Sequence, residues 1–137
     1  RVDRRQRQMC IRDRFDTMTA RWQSWRRRVI AWCRQQPEVT VDDAPMTSPS
    51  IIHLSVAGAR GTDLVMLADR DGIDLSAGSA CHAGVSRPSP TMLAMGRDDD
   101  AASSGLRISM GYTTTDVDID RLLVTLPATI RKASGAR

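Results

Sequence analysis

The sequence predicts a mixed α/β (α+β) fold, a small sheet flanked by helices, and three observations lead there. Apolar stripes at helical spacing stand near both ends: Trp22, Trp25, Val29 and Cys33 in the first, Ile119, Leu122, Leu123, Leu126 and Ile130 in the second. Between them lie short runs rich in Val and Ile, the pattern of strands. Length sets the scale, since 137 residues of which 41% are hydrophobic make one compact domain with a modest core. Three of the few aromatic residues are tryptophans crowded between Trp22 and Trp32, so most of that core has to be aliphatic.

Each element follows from local signals. Residues 1–15 (RVDRRQRQMCIRDRF) carry no periodic apolar face and are expected to be a non-native stretch or a disordered basic arm, outside a domain of residues 16–137. From Thr19 the pattern is helical, with Arg21, Arg27, Arg28 and Arg34 turned mainly away from the tryptophans, and Pro37 closes it. Val39–Val41 and Ile51–Val56 read as strands on either side of a loop from Asp43 to Ser50. Thr62 is the expected cap of a helix carrying Leu64, Val65, Leu67 and Ala68, and Gly72 its left-handed stop. A brief strand at Ile73–Leu75 then feeds a loop of small residues. Pro88 suits the first turn of a short helix stopped by Gly96, Asp98–Asp100 reads as surface loop, and Leu106–Met110 as a strand. Thr115 opens the last helix, where Asp116 and Asp118 suit the N-terminus and Arg131 and Lys132 the C-terminus; Pro127 predicts a kink.

Composition removes several functions. The net charge of +4 is mostly arginine, Lys132 being the single lysine, and the excess lies before residue 35. A nucleic-acid-binding module is thereby reduced to the Arg21–Arg34 face, and nucleic acid is not the expected partner. Three cysteines at irregular spacing, Cys10, Cys33 and Cys81, suggest neither a disulfide framework nor a CxxC metal site and favour a reducing compartment. No apolar run approaches the roughly 18 residues of a membrane span, so the expected location is cytoplasmic, without a membrane partner.

The chemistry concentrates in Ser76-Ala77-Gly78-Ser79-Ala80-Cys81-His82-Ala83-Gly84, one thiol among small residues. Such a loop is easily approached and easily moved, because its glycines absorb large dihedral changes. A thiolate at Cys81 would be the nucleophile. His53, on an apolar strand, reads as a packed or surface histidine. A metal site of His53, Cys81 and His82 is disfavoured, because adjacent Cys and His rarely supply two ligands of one tetrahedral site.

Gly78-Ser79-Ala80-Cys81, followed by Arg87-Pro88-Ser89, Leu93-Ala94-Met95-Gly96, Leu106-Arg107-Ile108-Ser109-Met110-Gly111, Thr113-Thr114 and Ile119-Asp120, resembles the end of the NifS/IscS-type cysteine desulfurases. The resemblance covers roughly residues 20–134. It implies the small C-terminal domain of a fold-type-I, pyridoxal-phosphate-dependent class V enzyme that turns L-cysteine into L-alanine. By the same resemblance Cys81 takes the substrate sulfur as a persulfide and passes it to a sulfur-acceptor or iron-sulfur scaffold protein, with Cys81 also considered as a transient iron-sulfur ligand. Arg107 matches the arginine that holds the substrate carboxylate, a task suited to a two-pronged guanidinium. The intact enzyme is expected to be a homodimer. The pyridoxal phosphate would belong to that intact enzyme alone: the expected form here is a C-terminal fragment with no cofactor-binding residue, because Lys132 stands in the wrong context for the Schiff-base lysine. Arg87, Pro90 and the pair Gly111-Tyr112 depart from the family pattern, and His82 receives no role. The related rival is a selenocysteine lyase or SufS-like enzyme, against which the long Cys81 loop speaks.

Overall fold

The computed structural model of the chain describes residues 4–44, 46–78 and 87–135, with side chains in the first helix described from Arg14 onward. Its elements in order are α1 (Arg4–Cys33), β1 (Val39–Val41), β2 (Ile51–Val56), α2 (Gly61–Arg70), α3 (Pro90–Ala94), α4 (Asp99–Ser103), β3 (Gly105–Ser109) and α5 (Asp116–Gly135). The three strands form an antiparallel sheet in the order β1-β2-β3. Its register sets Val39 opposite Val56, Ile52 opposite Ile108 and Leu54 opposite Leu106.

Period-two alternation gives the sheet one apolar face, built of Ile52, Leu54, Val56, Leu106 and Ile108, all buried. Against it pack α1, α2 and α5 through Trp25, Val29, Cys33, Leu64, Ile119, Leu122, Leu126 and Ile130. The amphipathic stripes are therefore the core-facing sides of their helices, as their spacing predicts. Polar links join α1 to α5 and to the turn that precedes it. The Trp25 indole Nε1 donates to Asp116 Oδ1 at 2.8 Å, and the Trp22 indole Nε1 donates to the Gly111 carbonyl at 3.4 Å. Arg28 pairs with Asp116 at 3.5 Å and also with Asp120.

Several local expectations are corrected. Helix α1 begins at Arg4, well before Thr19, because its helix-favouring residues are interrupted by neither Gly nor Pro even where no apolar stripe exists. Thr62 lies inside α2; its cap is Arg60, which offers no side-chain cap. Ile73–Leu75 is not a strand, and the pairing there shrinks to a single bridge at Ser76. Pro90, rather than Pro88, occupies the first turn of α3. Asp98 is a helix cap, its carboxylate accepting from the Ala101 amide at 2.8 Å, so Asp99 and Asp100 are helical. The left-handed stops at Gly72 and Gly96 are present, with φ of 76° and 82°. Among the described residues no helix is long and apolar enough to cross a membrane.

Candidate functional site

Alternation along β2 and β3 sends Ile52, Leu54, Leu106 and Ile108 into the core, and therefore sends His53 and Arg107 to the opposite face. The register places these two directly across from one another. The His53 carbonyl accepts from the Asp42 amide at 3.0 Å, while the amide and carbonyl of Arg107 both bond Ser76, at 2.7 and 3.2 Å. His53 and Arg107 thus exchange no main-chain bond with each other. A non-bonded antiparallel pair of this kind is the closer one, with Cα atoms about 4.5 Å apart and side chains side by side.

The segment that carries the thiol is anchored at both ends. Upstream, Ser76 is held by Arg107 as described. Downstream, the Ser89 amide donates to the Ala102 carbonyl at 3.0 Å, tying the chain to α4. The first residue of α2 closes in from the side, because a Cβ on Gly61 would stand 2.3 Å from the Gly105 carbonyl oxygen and 3.0 Å from Ala77 Cβ. Cys81 and His82 lie outside the described residues.

Between these anchors sits a cavity of about 170 Å³ lined by His53, Gly78, Ser89, Thr91, Met92 and Arg107. Arg107 is exposed there, and its guanidinium makes no hydrogen bond or ion pair with a described residue. His53 is half-buried and bonded through Nδ1 to Asp42 Oδ2 at 2.7 Å. Asp42 is itself 5% exposed and pairs through its other oxygen with Arg97.

Arg107 is therefore where a substrate-binding arginine could work, beside the root of the thiol segment. Sequence reasoning passed over His53, because an isolated histidine in an apolar strand has no local signal; its parity with Arg107 appears only once the register is known. Asp42 and Arg97, distant in sequence, were missed for the same reason. Among the described residues no group of three His, Cys, Asp or Glu could hold a metal ion. The described residues also do not fit a Schiff-base cofactor. Lys132 lies near the end of α5, 3.8 Å from Asp71 Oδ2 and on the helix-covered side of the sheet, away from Arg107. The thiol that is described, Cys33, is wholly buried on the core side of α1, where burial pushes it up to about 11, out of reach of nucleophilic duty.

The chain is similar to known proteins in both sequence and fold. A family model described as aminotransferase class-V matches residues 10–122. An "IscS-like cysteine desulfurase" of Mycobacterium tuberculosis is 42% identical over 94 residues, covering 69% of this chain and 24% of that protein. A "Cysteine desulfurase" of Cereibacter sphaeroides is 45% identical over 69 residues, covering 50% of this chain and 18% of that protein. The chain thus spans about a quarter or less of the length of these curated relatives. A solved structure titled "NIFS-LIKE PROTEIN" superposes with a TM-score of 0.74 at 17% identity, covering 88% of this chain and 30% of that one. A NifS-like protein from Rickettsia africae gives 0.68 at 17% identity, with 83% and 29% covered. These two likenesses show the fold, that of one domain within a fold-type-I enzyme. Sequence and fold together make the chain a member of the class-V aminotransferase family, similar to its NifS/IscS-type members.

Proposed function

We propose that residues 16–137 are the small C-terminal domain of a cysteine desulfurase, with residues 1–15 outside it, and that the intact enzyme converts L-cysteine to L-alanine. The observation that carries this reading is the 42% identity to a cysteine desulfurase across a stretch of 94 residues. Its overall balance is simple: L-cysteine and the Cys81 thiol give L-alanine and a Cys81 persulfide, so a sulfur atom moves and nothing else is consumed. Pyridoxal phosphate, if held elsewhere in the intact enzyme, would supply an electron sink. Because the described residues do not fit that group, its pocket belongs to other parts of the intact enzyme.

This chain's own contributions are a binding group and a carrier. Arg107 holds the substrate carboxylate with its two-pronged guanidinium, free in the structure of any competing described anion. Cys81 accepts the sulfur and passes it to an acceptor or iron-sulfur scaffold protein, serving as a transient iron-sulfur ligand if a cluster is built in place. The anchors at Ser76 and Ser89 support the carrier role, since they fix the points between which the Cys81 segment runs, beside the cavity that Arg107 lines. The working form is a cytoplasmic homodimer. Nucleic acid is not a partner on this reading, which the pairing of Arg28 with Asp116 and Asp120, and of Arg26 with Asp43 at 2.6 Å, supports.

The test is alanine and sulfide release from L-cysteine by the full-length protein containing this sequence, with pyridoxal phosphate added. Turnover by the unaltered protein and its loss in Cys81→Ser are expected. Full turnover in Cys81→Ser would overturn the carrier assignment, and no turnover in the unaltered protein would overturn the activity.

A further inference from the structure

His53, Asp42 and Arg97 are left without a role by that reading, yet they form a built arrangement. The Asp42 carboxylate is all but buried, and each of its oxygens is taken, one by His53 Nδ1 and the other by Arg97. A carboxylate held on both sides fixes the plane and the tautomer of the imidazole it meets. The glycine at 105 completes the seat, since a Cβ there would come within 3.2 Å of His53 Cε1 and Nε2. The outer nitrogen, Nε2, makes no hydrogen bond with a described residue, and neither does the neighbouring Arg107 guanidinium. Both line the cavity of about 170 Å³, whose other polar lining is the hydroxyls of Ser89 and Thr91. A histidine serving only to pack would need neither a dedicated carboxylate nor a place in the lining of a cavity shared with its cross-strand arginine.

We propose that His53 is a second carboxylate-recognition residue, acting with Arg107 on one small carboxylate, and that Asp42 and Arg97 are its positioning residues. Naming that carboxylate as the substrate amino acid rests on the desulfurase reading; two-residue recognition itself does not. With Nδ1–H given to Asp42, Nε2 donates only from the cationic ring, so binding is coupled to protonation. Among the described residues the charged group bonded to the ring is Asp42, which Arg97 holds from its other oxygen.

The chain has two histidines, so the His53 imidazole resonance is identified by its loss in His53→Asn. Sodium acetate is titrated into the labelled, unaltered chain at constant ionic strength, with sodium chloride as the control. A saturable shift of the His53 resonance is expected; a shift no larger than that from chloride overturns the proposal. In the full-length enzyme, His53→Gln is expected to raise KM for L-cysteine by about tenfold or more while kcat falls less, since one hydrogen bond to a charged group is lost. It should also narrow the preference for L-cysteine over cysteamine, which has no carboxylate. An unchanged KM and preference overturn the assignment. If the full-length protein turned over no cysteine while acetate still gave the saturable shift, the desulfurase reading would fall and the carboxylate site would stand.

Discussion

Ser76 and Arg107 exchange both of their main-chain hydrogen bonds, Arg107 N–H to the Ser76 carbonyl at 2.7 Å and Ser76 N–H to the Arg107 carbonyl at 3.2 Å. One residue thus offers its side chain to the cavity while its backbone holds the root of the thiol segment. Ser76→Pro removes one of the two bonds, because proline has no N–H. In the full-length enzyme its cysteine turnover is expected to fall roughly tenfold or more through misplacement of the segment. Hydrogen exchange at the Arg107 amide should accelerate at the same time. Normal turnover with normal protection would show that the bridge does not position the segment.

Gly61→Ala tests the close approach of α2 to the sheet. The new Cβ would stand 2.3 Å from the Gly105 carbonyl oxygen, a backbone atom with no rotamer to change. The expected cost is about 1–3 kcal/mol, the usual range for overpacking, read as a lower urea midpoint. An unchanged midpoint would mean that α2 can back away without loss.

Cys33 predicts a loss of stability in alkali. Burial raises its thiol from 9.0 to about 11, so the fold prefers the neutral form. A group whose folded value lies above its unfolded value adds stability that is complete below the unfolded value. That contribution is lost as pH rises through the window from 9.0 to about 11. The urea midpoint should decline across that window, and Cys33→Ala should flatten the decline. At neutral pH an alkylating reagent should leave Cys33 unmodified until the chain unfolds.

Thr115 and Asp118 predict the behaviour of the last helix in acid. Asp118 Oδ2 accepts from the Thr115 hydroxyl and amide, both at 2.8 Å, and the Asp118 amide donates back to Thr115 Oγ1 at 3.3 Å. The Thr115 hydroxyl first, and then its amide, hold the Asp118 carboxyl below its usual range. A lowered value adds stability above the unfolded titration that is lost as pH falls through the folded one, so the first turn of α5 should fray in acid. Thr115→Ala should cost about 1 kcal/mol at neutral pH, measured by urea unfolding. No loss would show that the cap is idle.

What the sequence determined by itself is what depends on neighbours along the chain. Trp22, Trp25, Val29 and Cys33 on one helix, and Ile119, Leu122, Leu126 and Ile130 on another, repeat at helical spacing, and all are buried. The limits of β1 and β2 and the left-handed glycines at 72 and 96 were legible for the same local reason. The order of small residues around Cys81 pointed to the family, and Arg107 could be singled out within it. Tertiary structure decided what depends on register. A shift of one residue between β2 and β3 would move His53 away from its place opposite Arg107, and no pattern within either strand states that register. The same holds for Ile73–Leu75, a strand by composition that becomes one bridge because only Ser76 meets the edge of β3. Asp42, His53 and Arg97 lie on three separate segments. Only the packed chain brings one carboxylate within reach of both an imidazole and a guanidinium, and so gives an unremarkable histidine a fixed ring beside the arginine.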